Sequence, residues 1–272
     1  MKKISVIVPT YKPDYYIWEC LNSIATQSLD KEKYEVLIIL NGDKEPFFTK
    51  VDLYLKENNL YNFNLIYTQE KGVSNARNIA LDKVSGEYIC FVDDDDFLDK
   101  NYLEEMLRVI LKYGNDGIVV SNYLNFDEKT GLEKNRTSYK LGSIKKNLLS
   151  RRKVFSVIWA KLIPIKTINK IRFNNNFKNG EDSLFMVEIS KNIKYIAIPE
   201  NEIYYNRRLR INSANFRKKK ISYILSNTFF LILNYSKFLF KKSYNKVFIL
   251  ARIVAIMKGM ILQLWYSNKR GT

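Results

Sequence analysis

The sequence predicts an α/β fold: a mostly parallel sheet flanked by helices, followed by a basic amphipathic helical extension. Three observations carry that expectation. Short apolar, β-branched runs alternate with segments of helical apolar spacing, the pattern of a sheet covered on both faces. The 272 residues, 46% of them hydrophobic and 14% aromatic, suffice for one large domain and an appendage. Beyond Glu202 there are fifteen Lys and Arg and no acid, which leaves only +2 of the net +17 for residues 1–202.

The elements follow in order. "ISVIVPTY" (Ile4 to Tyr11) reads as a strand, "YYIWECLNSIATQ" as a helix and "YEVLIIL" as a second buried strand. "FFTKVDLYLKENN" and "VSNARNIALDKV" are helices around the strand "FNLIYTQ", and "EYICFV" is the next strand. After an acidic run, "KNYLEEMLRVILKYG" is a helix, "GIVVSNYLNF" a strand and "DEKTGLEKNRTSYK" a turn or hairpin. An Asn-rich loop then leads into a helix at "GEDSLFMVEI", and long helices without acids begin near Arg217. Domain boundaries are expected at 1–215, divided near 125, and 216–272. Ligands bind such sheets at the carboxyl ends of the strands, so Pro9 to Tyr11, Asn41 to Asp43 and Asp93 to Asp96 are expected to line one crevice.

Composition narrows the chemistry. With no histidine, His-based zinc sites and Ser-His or Cys-His nucleophiles are excluded, leaving Asp, Glu, Lys and Tyr for proton transfer. Two cysteines inside apolar segments, Cys20 and Cys90, point to a reducing compartment without a disulfide framework. The apolar run after Lys2 and Lys3 is too short for a signal peptide, and no window holds roughly 18 uninterrupted apolar residues. A cytoplasmic protein without a spanning helix is expected.

The acidic run, Asp93 to Asp96, ends an apolar strand. Like charges this close raise each other's pKa unless a cation sits among them. Helix capping accounts for one aspartate, not four. Hard divalent ions take carboxylate oxygens together with substrate phosphates, so Mn²⁺ or Mg²⁺ is the expected cofactor.

"SVIVPTYK", "EVLIILNG", "KGVSNARNIAL", "GEYICFVDDDD" and "NGEDSLF", in this order, resemble the inverting family 2 glycosyltransferases over roughly residues 4–213. The resemblance implies a GT-A fold, a nucleotide-sugar donor, with UDP expected, and a glycan or lipid-linked acceptor in capsule, O-antigen or other cell-surface polysaccharide synthesis. It implies Asp95 as metal ligand, with Asp93 shared between metal and nucleotide and Asp94 near the ribose and diphosphate. Pro9, Thr10, Tyr11, Gly72 and Arg77 match nucleotide-facing positions. Where relatives carry an acidic pair after the second strand, this chain has Asn41 and Gly42, and Asp43 is displaced by two positions, which leaves the uracil preference open. Asn41 has a donor and an acceptor for a base. Asp182 is implied as general base and Glu181 as acceptor-binding. Trp159 has two readings, stacking on an acceptor sugar or packing in the core.

In the extension, Lys220, Asn227, Asn234 and Lys241 recur every seventh position as a narrow wet stripe on an otherwise apolar helix. Basic, aromatic, amphipathic helices lie at anionic membrane surfaces, so a peripheral location on the inner face of the cell membrane is expected, with homo-oligomerisation as the competing use. Two other classes remain open: a metal-dependent nucleotidyltransferase, although "VIVPTYKPD" lacks a glycine-rich phosphate loop, and a basic nucleic-acid-binding protein, ranked last because the charges interleave with lipid-like apolar runs.

Overall fold

The computed structural model describes residues 2–177, 179–210 and 220–269. Through the first part the predicted alternation appears: β1 (Ile4–Thr10), α1 (Tyr16–Ala25), β2 (Tyr34–Asn41), α2 (Phe47–Glu57), β3 (Phe63–Thr68), α3 (Val73–Leu81) and β4 (Tyr88–Phe91). These four strands pair in parallel in the order β3-β2-β1-β4. Every residue of β1, β2 and β4 is buried, as continuous β-branched runs require when helices cover both faces.

The second part is less regular. It comprises β5 (Phe97–Leu98), α4 (Tyr102–Tyr113), β6 (Gly117–Val120), β7 (Asn122–Asp127), β8 (Glu133–Arg136), β9 (Ile144–Lys145), β10 (Lys161–Pro164), α5 (Ile165–Ile168), α6 (Glu181–Ile189), β11 (Tyr195–Ala197) and β12 (Tyr204–Leu209). Strand β10 lies antiparallel between β4 and β6 and extends the large sheet to eight strands, β3-β2-β1-β4-β10-β6-β11-β9. The segment 117–126, expected as one strand, is two. Ser121 separates them: its N–H donates to the carbonyl of Ala160 at 3.2 Å and its hydroxyl meets that of Tyr102 at 2.9 Å. Beyond it the chain enters a smaller sheet, β5-β12-β7-β8, in which β7 and β8 form the expected hairpin.

The extension is the helix pair α7 (Ile221–Leu239) and α8 (Lys246–Lys269). The boundary expected at 215/216 lies outside the described residues. Helix α7 buries Ile224, Thr228, Leu231, Tyr235 and Phe238, one face at helical spacing. The expected wet stripe is therefore not the only unburied face: Leu225, Phe229, Phe230 and Leu233 are exposed, and Asn227 turns inward to donate to the carbonyl of Asn179 at 3.3 Å. The expectation of no membrane-length helix is corrected too, because Lys246–Trp265 is long and apolar enough by length and composition despite Arg252 and Lys258. Its first turns nevertheless belong to the protein core, since Phe248 and Ile249 are fully buried.

Candidate functional site

Three strands deliver the crevice. Thr10 ends β1, Asn41 ends β2, and the acidic run follows β4 after Val92, whose N–H still bonds the carbonyl of Ile7 at 3.0 Å. The four aspartates then diverge. Asp93 receives Nη2 of Arg77 at 3.0 Å. Asp94 accepts from the hydroxyl of Thr10. Asp95 forms an ion pair with Nε of Arg210 at 2.5 Å. Asp96 turns into the protein, accepting from the Tyr205 hydroxyl at 2.7 Å and from the N–H of Arg208 at 2.8 Å. Asp96 is thus the structural member of the run.

Burial and mutual repulsion dominate their ionisation. Burial, then Asp95, pushes Asp94 up to about 7, with the Thr10 hydrogen bond opposing. Asp95 is raised by burial and by Asp93, with Arg210 working the other way. A crevice of carboxylates reluctant to ionise is one that a cation stabilises. The donor set fits a hard divalent ion held jointly with phosphates, for which Asp93 and Asp95 offer carboxylate oxygens. It does not make a cage by itself: among the described residues no group of three or more His, Cys, Asp or Glu side chains could hold a metal ion alone.

Across the crevice stands α6. Its first turn carries Glu181 and Asp182, and Arg77 of α3 reaches both, donating from Nη1 to Asp182 at 2.5 Å and lying 4.0 Å from Glu181. Arg77, expected at the nucleotide, is 3% exposed and stands as a fork between two acidic segments. Burial opposes its charge, but Asp182, Asp93 and Glu181 hold it firmly protonated. Burial raises Asp182, Arg77 counters, and Asp93 raises it further. Glu181 is pushed up to about 7 by burial and by Asp182.

The residues expected at the nucleotide separate into exposed and inward-facing ones. Tyr11 is 45% exposed at the rim, beside Lys12 and Lys71, whose amines lie 5.7 and 5.8 Å from its ring centre. Asp43 pairs with both lysines, at 2.9 and 3.4 Å, so its displacement in sequence has left it at the same rim. Asn41 faces the protein: its amide donates to the carbonyl of Thr10 at 2.7 Å and its oxygen accepts from the N–H of Gly72 at 3.0 Å. It ties the three segments together. Pro9 is a buried member of β1, and Gly72, with φ at +129°, starts α3 where a side chain would be strained.

Trp159 packs among aromatic rings. It is 6% exposed, stacked on Tyr205 at 5.1 Å and met edge-on by Tyr123 at 4.9 Å. Sequence reasoning missed its neighbour Lys161, fully buried, donating to the carbonyl of Trp159 at 2.9 Å and lowered to about 7 by burial, with Asp182 opposing. It also missed Arg210 and the Tyr205 hydroxyl, which accepts from the N–H of Asp93 at 3.1 Å. Two-residue alternation along "YNRRLR" places Arg208 and Arg210 on one face and was the available signal.

Comparison with known proteins fits this arrangement. Residues 5–194 match the family described as glycosyl transferase family 2. The chain is 28% identical over 207 residues to the poly(ribitol-phosphate) beta-N-acetylglucosaminyltransferase TarS of Staphylococcus aureus, covering 75% of this chain and 35% of TarS. It spans about a third of the length of the curated relatives it matches first. The crystal structure of TarS residues 1–349 in complex with UDP-GlcNAc superposes with a TM-score of 0.77 at 23% identity, covering 93% of this chain and 72% of that one. The mannosyltransferase PcManGT from Pyrobaculum calidifontis, in complex with GDP-Man and Mn²⁺, gives 0.64 at 15% identity, covering 99% and 76%. At these identities the likeness establishes the fold, which is GT-A.

Proposed function

Because this chain belongs to glycosyl transferase family 2 and is a glycosyltransferase, we propose that it transfers a sugar with inversion from a UDP-sugar to a hydroxyl of a glycan or lipid-linked acceptor in cell-surface polymer synthesis. Family membership displaces the nucleotidyl-transfer and nucleic-acid readings. One observation carries the proposal: a single buried guanidinium, Arg77, joins Asp93 on the donor side to Asp182 on the acceptor side.

The residues divide the work accordingly. Tyr11 and Asp43 line the rim where a base is received, while Asn41, Thr10 and Gly72 fix the loops that shape it. Asp93 and Asp95 hold the divalent ion, Mn²⁺ or Mg²⁺, which when bound neutralises charge at the diphosphate. Asp182 takes the proton of the acceptor hydroxyl as that oxygen forms its bond to the anomeric carbon. The bond from that carbon to the diphosphate oxygen breaks on the opposite face, and its electron pair leaves with the nucleotide. Arg77 orients Asp182 and favours its ionised form against the effect of burial, as proton abstraction requires. Glu181 beside it orients the acceptor.

The acceptor class is supported by the poly(ribitol-phosphate) in the name of the relative, and a peripheral place at the inner membrane face by the exposed apolar and basic surface of α7 and α8. The catalytic unit, residues 1–215, and the helical unit, 216–272, are then donor-and-acceptor chemistry and attachment respectively.

The test is a panel of nucleotide sugars, UDP-GlcNAc, UDP-glucose, UDP-galactose and GDP-mannose, with and without Mn²⁺, followed by UDP or GDP release. Donor turnover is expected with a UDP-sugar and Mn²⁺. D95A is expected to abolish metal-dependent donor binding, and D182N to bind donor without turnover. Unchanged metal-dependent binding in D95A, or full activity in D182N, sinks the corresponding assignment.

A further inference from the structure

Ser183 follows Asp182 in the first turn of α6, and both C-terminal helices hold its hydroxyl. The hydroxyl of Tyr235 on α7 meets it at 2.6 Å, and Nη2 of Arg252 on α8 donates to it at 2.5 Å. Arg252 is 5% exposed and is anchored behind: Nη1 donates at 2.9 Å both to the carbonyl of Arg152 and to the hydroxyl of Ser156, and Nη2 reaches the carbonyl of Phe155 at 3.3 Å. Among the described residues no carboxylate pairs with it, and a guanidinium taken out of water without one is a costly way to staple two elements together. Its position calls for a function.

The residues before the acidic pair lean on the same helices. The side chain of Asn179 donates to the Tyr223 hydroxyl at 2.6 Å, and its carbonyl accepts from Asn227 at 3.3 Å. Gly180, with φ at +90°, lies so close to α7 that a Cβ there would stand 2.8 Å from Cδ1 of Leu231. Helix α6 has no side-chain cap of its own at Gly180. Uncapped first turns fray unless something outside holds them. Positions 179, 180 and 183 therefore face the extension, while Glu181 and Asp182 between them face Arg77.

We propose that the α7–α8 pair positions the general base: Tyr235 and Arg252 act on Asp182 through the Ser183 hydroxyl, and Tyr223 and Asn227 fix the approach to it. The extension then has a positioning role in addition to attachment. This rests on Asp182 being the base.

The experiment uses the full chain with Mn²⁺ and the nucleotide sugar selected by the panel, measuring kcat and KM for nucleotide release, donor affinity and thermal midpoint. The variants are S183A, Y235F, R252K and S183A combined with Y235F. Displacing a reacting group by a fraction of an ångström costs at least about tenfold in rate, so S183A and Y235F are expected to lower kcat by about that much with donor KM within about twofold. The double variant is expected to fall no further than S183A, because Tyr235 then has nothing to act through. If Y235F does not fold, R252K takes its place in the cycle. Unchanged kcat, multiplying losses in the double variant, or a kcat loss matched by donor affinity and thermal midpoint would each overturn the proposal in favour of a plain structural support. D182N distinguishes the two levels. Full turnover in D182N removes the base and this proposal together, whereas an inactive D182N beside fully active S183A and Y235F removes this proposal alone.

Discussion

Nη1 of Arg77 lies 2.5 Å from Oδ1 of Asp182, a residue 105 positions later in the chain. The contact joins α3 to α6 across the crevice, and Nη2 of the same guanidinium reaches Asp93 at 3.0 Å. A lysine carries the charge but cannot span both carboxylates. R77K is therefore expected to lower kcat by about 10- to 100-fold while the protein still folds. R77A leaves two partly buried carboxylates unpaired and is expected to cost about 1–3 kcal/mol in stability. Urea unfolding and nucleotide release check the two; R77K at the wild-type rate would refute the bridging role.

Glu105 provides a pH signature away from the crevice. It accepts from Nε and Nη2 of Arg108 at 2.9 and 2.8 Å and from the N–H and side chain of Asn201 at 3.2 and 3.1 Å. The Arg108 hydrogen bonds, against the opposing effect of burial, hold its carboxyl down at about 2 rather than 4.5. A depressed folded-state pKa stabilises fully above the unfolded value and is lost as pH falls through the folded one. Urea midpoints are expected to drop from about pH 5 towards pH 2, and E105Q to flatten that slope while costing about 2 kcal/mol near neutrality. Parallel profiles for the two proteins would rule this out.

Gly42 sits against the rim. At φ +93° a Cβ would stand 2.7 Å from the Tyr11 ring, so G42A must displace that ring as well as strain its own backbone. Donor affinity is expected to weaken severalfold, with about 1 kcal/mol of lost stability. Calorimetric titration with UDP-sugar is the check, and unaltered affinity would remove Tyr11 from the donor site.

The outer faces of α7 and α8 carry exposed Phe229, Phe230, Leu250, Val254 and Ile261 beside exposed Lys237, Lys241 and Lys242. Co-sedimentation with phosphatidylglycerol vesicles is expected, with little binding to phosphatidylcholine. Each lysine near an anionic surface contributes about 1 kcal/mol, so reversing all three to Glu is expected to reduce partitioning at least tenfold. A concentration-dependent dimer that ignores lipid would point instead to a second copy of the chain as the occupant.

The first half of the fold was legible because its strands are buried on both faces and announce themselves as unbroken apolar runs. The division of 117–127 between two sheets was not, since "GIVVSNYLNF" has no break except Ser121, whose role depends on Tyr102 and Ala160. In the site, the acidic run and "GED" were visible as motifs. The partners of their carboxylates were not: the resemblance marked Arg77 for the nucleotide but not its pairing with Asp93 and Asp182, and Arg210 looks like the start of a basic tail. Lys161 was invisible because nothing local marks a lysine for burial. Long-range pairing decides those roles, and periodicity carries no information about it.

The division at Ser121 also bears on the order of assembly. Strand β7 pairs in parallel with β12, Asn122 opposite Tyr204 through Asp127 opposite Leu209, which closes a loop of about eighty residues. Closure on that scale is slow relative to the nearer pairings of β1, β2 and β3. Tyr205 and Arg208, which satisfy Asp96 and the backbone of the acidic run, are carried on the late strand. Strand β12 is thus expected to join after β1, β2 and β3 have paired, and pulse-labelled hydrogen exchange should find the amides of 204–209 protected after those of 34–41. Early protection of β12 would show the opposite order.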